Sequence, residues 1–329
     1  MTDRDLHVVV GAAGATGRRV VSQLAAAGHR VRAVTRDGRD IGVSDIETVA
    51  GDGADPAAIS RISAGASTIY HCAMPPIRRW RTDFPVLTDA MIQAAATIGA
   101  RLVYADDTWM YGRVTAPMTA ETAVRPVSQQ GVLRALMAER ILCAAAGGRI
   151  QASIVRAGEL YGPGVRSMIA DNVFRAAREG RTAIWFGDPD QPITPTFVDD
   201  FARTLAAVGT ADQSAAAVWH VPHPPATTGR ELALEVCRQA GTQLRLRKVR
   251  APLLRVLGTA IPLAREAAEL VYQFEQPFVV DGQPAVDAFG LRPTSWTAGI
   301  RECLGGETGT APDRSGHSTP FAGGLRHTP

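Results

Sequence analysis

Lysine is almost missing from this chain: Lys248 stands alone, and every other basic side chain among the 35 is arginine. Codon bias in a GC-rich genome explains such an imbalance without reference to function. The chemical consequence stands: a mechanism that needs an ammonium group has one residue to draw on. Cysteine is scarce too. Cys72, Cys143, Cys237 and Cys303 lie far apart, none in a CxxC pair and none beside a histidine cluster. That spacing excludes a disulfide framework and a cysteine zinc site, and the four read as small apolar residues in a reducing compartment. His220 and His223 flank a strand end and run into Pro224-Pro225, so no metal site is expected. Neither sign of charge is in excess. The net charge is +3, from 35 basic and 32 acidic residues that are dispersed, which leaves no footprint for nucleic acid or an acidic membrane. No apolar run reaches membrane-spanning length. The polar N-terminus passes directly into a strand, with no signal peptide evident, so the expected location is the cytoplasm.

What is present is an alternation. Leu6–Val10 is a continuous apolar run ending at Gly11, the pattern of a buried parallel strand. Thr16–Ala27 follows at helical spacing and stops at Gly28. Arg30–Val34, Ile46–Ala50, Thr68–His71, Arg101–Tyr104 and Ile150–Val155 continue the strands, with helical stretches such as Thr88–Ala96 and Leu133–Ala146 between them. This is the order of an α/β Rossmann fold, a doubly wound parallel sheet. Beyond Gly164 the pattern weakens. Ser167–Arg178, Phe197–Ala207, Arg230–Ala240 and Leu253–Phe274 read as helices, and Ala183–Phe186 and Ala217–Val221 as strands. A smaller, interleaved C-terminal substrate domain fits. The expected division is 1–163 with 195–222 for the Rossmann domain, 164–194 with 223–304 for the substrate domain, and a disordered tail over 305–329.

Gly11-Ala12-Ala13-Gly14-Ala15-Thr16-Gly17 follows the first strand and opens a helix. Glycines there permit a tight turn and let backbone N–H groups approach a phosphate at the helix N-terminus. At the end of the second strand, Thr35-Arg36 stands where an acidic residue would hold a ribose 2′-hydroxyl. An arginine can fork onto a 2′-phosphate, with Arg18 assisting, so NADP(H) is the expected cofactor. Alternatively, Arg36 is a solvated surface residue and Asp37 claims the ribose.

The GxxGxxG spacing resembles that of the extended and atypical short-chain dehydrogenase/reductases, and the likeness recurs along residues 6–304. Gly51-Asp52-Gly53 resembles the family's adenine-contacting turn. His71-Cys72-Ala73, with Met74 after it, resembles the turn beside the cofactor. Tyr111-Gly112, Arg156-Ala157-Gly158-Glu159-Leu160-Tyr161-Gly162-Pro163-Gly164, Thr196-Phe197-Val198-Asp199-Asp200 and Phe289-Gly290-Leu291-Arg292-Pro293 resemble the family's later motifs. The resemblance implies cofactor contacts from Gly11, Ala13, Gly14, Ala15, Thr16, Gly17, Arg18, Arg36, Asp52, Gly53, Cys72, Ala73, Met74, Arg134 and Ala157.

The chain departs from the family at its catalytic triad. The family's serine, tyrosine and lysine positions fall on Asp107, Gln130 and Arg134, and Leu244 stands four before Lys248, so no YxxxK exists anywhere. A primary amide is no proton donor near neutral pH, so the usual tyrosinate mechanism is excluded. Thr108 can bind a carbonyl or simply end its strand. Asp107 can serve as a base, accept a substrate hydrogen bond, or cap a turn. Ser128 and Gln130 can contact substrate. Tyr161 stands near the nicotinamide by family analogy, or is structural. Trp80, Trp109, Met110, Trp185 and Phe186 can line an aromatic pocket or pack a core.

Two functions remain. One is an NADPH-dependent ketoreductase with an altered proton source, similar to the tyrosine-less angucyclinone ketoreductases of aromatic polyketide pathways, whose partner is a polycyclic aromatic small molecule. The other is an NADP(H)-binding sensor without chemistry. The full second domain and the YGPG turn favour the enzyme.

Overall fold

The computed structural model describes residues 5–212 and 217–305. Its frame is a seven-stranded parallel sheet. The strands are β1 (Leu6–Val10), β2 (Arg30–Thr35), β3 (Glu47–Ala50), β4 (Ala66–His71), β5 (Arg101–Asp107) and β6 (Gln151–Ala157). Short strands β7 (Leu160–Tyr161), β8 (Ala183–Phe186), β9 (Pro192–Ile193) and β10 (Thr196–Phe197) intervene before β11 (Ala217–His220) completes the sheet. The spatial order is β11-β6-β5-β4-β1-β2-β3. It reverses between β1 and β4, and in such sheets a ligand sits beyond the strand C-termini at that reversal.

Alternation along each strand feeds two cores. Val8 and Val10 pack with Ile69, Leu102, Tyr104 and Ile154 under α2 (Pro56–Ile62), α3 (Trp80–Ile98) and α4 (Gln129–Ala146). Val9, Val31, Ala33, Val103 and Val155 pack on the opposite face against α1 (Ala15–Ala26) and, across α5 (Arg175–Arg178) in chain order, α6 (Val198–Thr210). A third core joins Met110, Tyr111, Tyr161, Phe174, Trp185, Phe197, Phe274 and Ile300. β12 (Thr227–Thr228), α7 (Gly229–Gln239), β13 (Leu246–Val249), α8 (Ala251–Leu257), α9 (Pro262–Leu270), α10 (Gln283–Phe289) and α11 (Trp296–Gly305) follow in the chain. Of these, α7, β13, α9 and α11 add to this core, α8 and α9 share a small cluster of their own, and Phe289 of α10 packs against the core under α1 and α6. β8 pairs in parallel with β13, a strand the residue pattern does not announce.

Two expectations need correction. The single helix expected over Leu253–Phe274 is broken into α8 and α9, because Gly258 caps the first and Pro262 opens the second with its missing N–H. The expected tail starts one residue too early, since Gly305 ends α11; its remaining span, 306–329, lies outside the described residues. Among the described residues no helix is long and apolar enough to cross a membrane.

Candidate active site

The glycine turn after β1 is fixed by close approaches. Gly11 has φ +88°, and a Cβ on it would lie 2.5 Å from Ala73 Cα; one on Gly17 would lie 2.3 Å from Gly11 O. The N–H groups of Gly11 and Ala12 both donate to Val34 O at 3.2 Å. Gly14 caps α1 without a side chain, and no acid occupies the first turn. Arg18 N–H to Gly14 O, 3.0 Å, is the first rung of the helical ladder, so the N–H groups of Ala15, Thr16 and Gly17 precede it and are free for an anion. Ala13 and Gly14 are exposed at this mouth. The cradle fits a pyrophosphate.

At the end of β2, Arg36 is exposed, as is Arg18, and neither has an ion pair among the described residues. Arg18 reaches the loop beside Gly42, where an added Cβ would meet its Nη2 at 3.3 Å. Asp37 turns its Oδ1 back to the N–H of Arg39, 3.3 Å away, a bond that holds its carboxyl below the usual range. Two guanidiniums therefore flank this strand end. Asp52 is exposed, its Oδ1 accepting the N–H of Ala54 at 3.0 Å, and Gly53 packs so closely on Leu87 that a Cβ would lie 2.7 Å from it. Cys72 donates its N–H to Val10 O at 2.9 Å. Ala157 is buried where β6 ends opposite Asp107.

Asp107, Arg134 and Gln130 come together. Arg134 Nε lies 2.8 Å from Asp107 Oδ2. The same guanidinium donates from Nη1 to the Tyr104 hydroxyl at 3.0 Å and from Nη2 to Met74 Sδ at 3.3 Å. Its Cζ stands 4.8 Å from the Trp80 ring centroid and 5.0 Å from that of Phe84. Arg134 is thus engaged on every side by protein groups. Burial pushes the Asp107 carboxyl up, and the Arg134 charge opposes the shift. Asp107 Oδ1 also accepts the N–H of Trp109 at 2.9 Å, opening the turn Trp109–Tyr111.

Asp106 links this set to a further buried network, with Arg134 Nη1 3.6 Å from its Oδ1. Arg156 Nε donates to its Oδ2 at 3.3 Å, Arg156 Nη1 donates to the Tyr111 hydroxyl at 2.6 Å, and that hydroxyl lies 2.9 Å from His220 Nε2. Burial pushes Asp106 up to about 7, with Arg156 pulling the other way. Burial keeps His220 neutral by depressing it to about 3. Neither Asp106, Arg156 nor His220 stands out in the residue pattern as a partner of the site.

Ser128 caps α4, its Oγ accepting the N–H of Gly131 at 3.0 Å. Gly131 abuts the Trp109 carbonyl, where a Cβ would come within 2.5 Å. Beside that contact, Thr108 Oγ1 and Gln130 Oε1 are buried without hydrogen-bond partners. Buried polar atoms of this kind call for a ligand or water partner. Tyr161 is fully buried in the third core among Phe174, Phe197 and Trp296, at centroid distances of 6.1, 5.3 and 5.8 Å. Its hydroxyl faces α11, where a Cβ on Gly299 would lie 2.7 Å away, and like Thr108 Oγ1 and Gln130 Oε1 it is buried without a hydrogen-bond partner. Trp185 is likewise core, against Phe274 at 5.3 Å.

A cavity of about 470 Å³ opens against the start of α4, lined by Arg113, Val127, Arg255, Arg265, Glu269 and Tyr272 among others. The Tyr272 hydroxyl donates to Trp109 O at 3.0 Å, and Glu269 Oε2 accepts the N–H of Gln129 at 3.1 Å. These two bonds join the cavity wall to the turn and helix that carry Thr108 and Gln130. Glu159, just past β6, accepts the Met168 N–H at 2.9 Å, and burial pushes its carboxyl up to about 7.

Comparison with known proteins places the fold. The dTDP-6-deoxy-L-talose 4-dehydrogenase (NAD(P)(+)) of Kitasatospora kifunensis is 31% identical over 181 residues, 51% of this chain and 55% of that protein. The match thus spans little more than half of the relative's length. In three dimensions the chain superposes on UDP-glucuronic acid 4-epimerase from Bacillus cereus, solved with UDP-glucuronic acid and NAD, with a TM-score of 0.74 and 17% identity. That alignment covers 91% of this chain and 98% of the epimerase. DesIV, a dTDP-glucose 4,6-dehydratase from Streptomyces venezuelae, gives a TM-score of 0.73 at 19% identity over 91% and 95% of the two chains. The model of the NAD dependent epimerase/dehydratase family matches residues 7–221, and the chain belongs to that family.

Proposed function

We propose that the protein is an NADPH-dependent ketoreductase acting on a polycyclic aromatic ketone, working without the tyrosine and lysine of its relatives. The observation that carries this reading is the Asp107–Arg134 ion pair beside Gln130: three positions that would run a proton relay are filled by an internally neutralised pair and an amide. A sugar-nucleotide epimerase or dehydratase needs an acid and base there, which this set does not supply.

The bound cofactor supplies a hydride. The protein's part is orientation. Gly11, Gly14 and the first N–H groups of α1 seat the pyrophosphate, while Arg18 and Arg36 take the 2′-phosphate. Thr108 Oγ1 and Gln130 Oε1, two buried atoms without partners beside the Trp109 turn, hold the substrate, with Ser128 and Asp107 fixing the backbone around them. Hydride arrival at the carbonyl carbon creates an oxyanion that needs a proton. A phenol or enol beside the carbonyl donates it, and solvent restores that hydroxyl. Orientation alone is worth roughly 7–11 kcal/mol of barrier. The 470 Å³ cavity, joined to the Thr108 turn through the bond from Tyr272 to Trp109 O, has the size of a small-molecule site, which supports an enzyme over a sensor.

The test is NADPH oxidation across a panel of hydroxylated anthraquinones and angucyclinones, beside dTDP- and UDP-hexoses. Reduction of a peri-hydroxy ketone, lost on methylating that hydroxyl while binding persists, is expected. Turnover of a sugar nucleotide in place of the aromatics, or normal reduction of the methyl ether, would overturn the reading.

A further inference from the structure

The cavity beside the active-site turn has a polarity that the reaction itself does not require. Three of its lining side chains are arginines and one is an acid. The acid, Glu269, is directed to the Gln129 N–H at the start of α4. Arg113 is paired with Glu275 at 3.0 Å. Arg255 and Arg265 have no ion pair among the described residues, and both are exposed at the cavity mouth. They stand on adjacent helices, α8 and α9, and the helices meet at Gly258, where a Cβ would lie 2.9 Å from Arg265 Cα. Arg265 Nε donates to Gly258 O at 3.1 Å, which fixes the root of the fork and leaves its terminal nitrogens free. The arrangement is therefore a built one: a close helix contact holds the Arg265 guanidinium, and Arg255, one turn before Gly258 on α8, lines the same cavity. The floor is apolar and aromatic, from Val127, Ala268 and Tyr272. The Tyr272 hydroxyl points inward to Trp109 O, one residue past Thr108.

A ligand that satisfies both ends carries an aromatic body toward Tyr272 and a carboxylate toward the two arginines, an acceptor that suits the guanidinium fork. We propose that the substrate is an aromatic acid, held by Arg255 and Arg265 through a carboxylate at the end remote from the ketone. This rests on the ketoreductase reading and names its substrate class.

The probe is a 1-hydroxyanthraquinone bearing a ring carboxylate, compared with its methyl ester. Both are titrated into the NADP⁺-loaded protein by tryptophan fluorescence, so that no turnover intervenes. The acid is expected to bind at least about tenfold more tightly than the ester, a difference of about 1.4 kcal/mol. The advantage should shrink with added salt. In the Arg255→Gln, Arg265→Gln double variant the two compounds should bind alike, at the ester's unchanged affinity. Equal binding of acid and ester by the unaltered protein, or an advantage that survives the double substitution, overturns the proposal. If the ester is bound and reduced while the acid has no advantage, the arginine clamp falls and the ketoreductase reading stands. If neither compound binds while NADPH does, both fall.

Discussion

Arg134 Nε and Asp107 Oδ2 stand 2.8 Å apart across the gap between α4 and β5, with Trp80 and Phe84 covering the guanidinium. A buried pair of this kind is worth little net stability against an apolar replacement, but removing one partner strands the other. Asp107→Asn should therefore destabilise the protein by about 3–5 kcal/mol, while Arg134→Lys, which keeps the charge and loses the contacts to Tyr104 and Met74, should cost less. Thermal melts of the two variants check the order.

Gln130 tests the lost relay from the other side. An amide that only holds substrate can be removed without abolishing turnover, so Gln130→Ala should keep substantial activity. The double change Gln130→Tyr with Arg134→Lys should not raise the rate. Single-turnover NADPH oxidation is the measurement; loss to background in Gln130→Ala, with NADPH binding intact, would show that the amide is essential.

Cofactor choice follows from the two unpaired guanidiniums at the end of β2. Arg36→Ala removes one charge-assisted contact, on the order of 1.5–3 kcal/mol, and should weaken NADPH binding while leaving NADH nearly untouched. Calorimetric titration of both cofactors decides this. Equal affinity of the unaltered protein for the two would mean that Arg36 faces solvent.

Glu159 gives a pH signature. Its folded carboxyl titrates near 7 against 4.5 for the free side chain, because it is buried. The folded state holds this proton more tightly than the unfolded one, so its stabilisation is full below 4.5 and is lost as pH rises through 7. Glu159→Gln, which keeps an acceptor for the Met168 N–H, removes that dependence. The Tm difference, variant minus wild type, should rise from pH 4.5 to about 7 and then level off. A flat difference would show that the carboxyl is solvated.

Much of the sheet was legible because its strands are buried on both faces. Leu6–Val10 reads as a continuous apolar run and Arg101–Tyr104 as a strand in the same series, and their boundaries moved by at most three residues. α3 was harder. The helical stretch read over Thr88–Ala96 runs back to Trp80, through Pro85, an interior proline that forfeits one backbone hydrogen bond. The site was legible where it is local: the turn from Gly11 to Gly17 declares its own geometry. It was illegible where partners are distant. Arg134 is recognisable as a replaced lysine, but its pairing with Asp107 needs β5 and α4 side by side. Asp106, Arg156, Tyr111 and His220 join only through three strands and a turn.

The hydrogen bond from Tyr272 to the Trp109 carbonyl gives the substrate end of the molecule a handle on the cofactor end. Tyr272 follows directly after α9, so a ligand that draws α8 and α9 together pulls on the turn next to Thr108. On the proposed reading, occupancy at the rim is in this way felt at Thr108, the hydroxyl assigned to the ketone. A half-molecule lacking the remote group would seat in the cavity yet leave Thr108 slack, and the penalty would fall on turnover more than on binding.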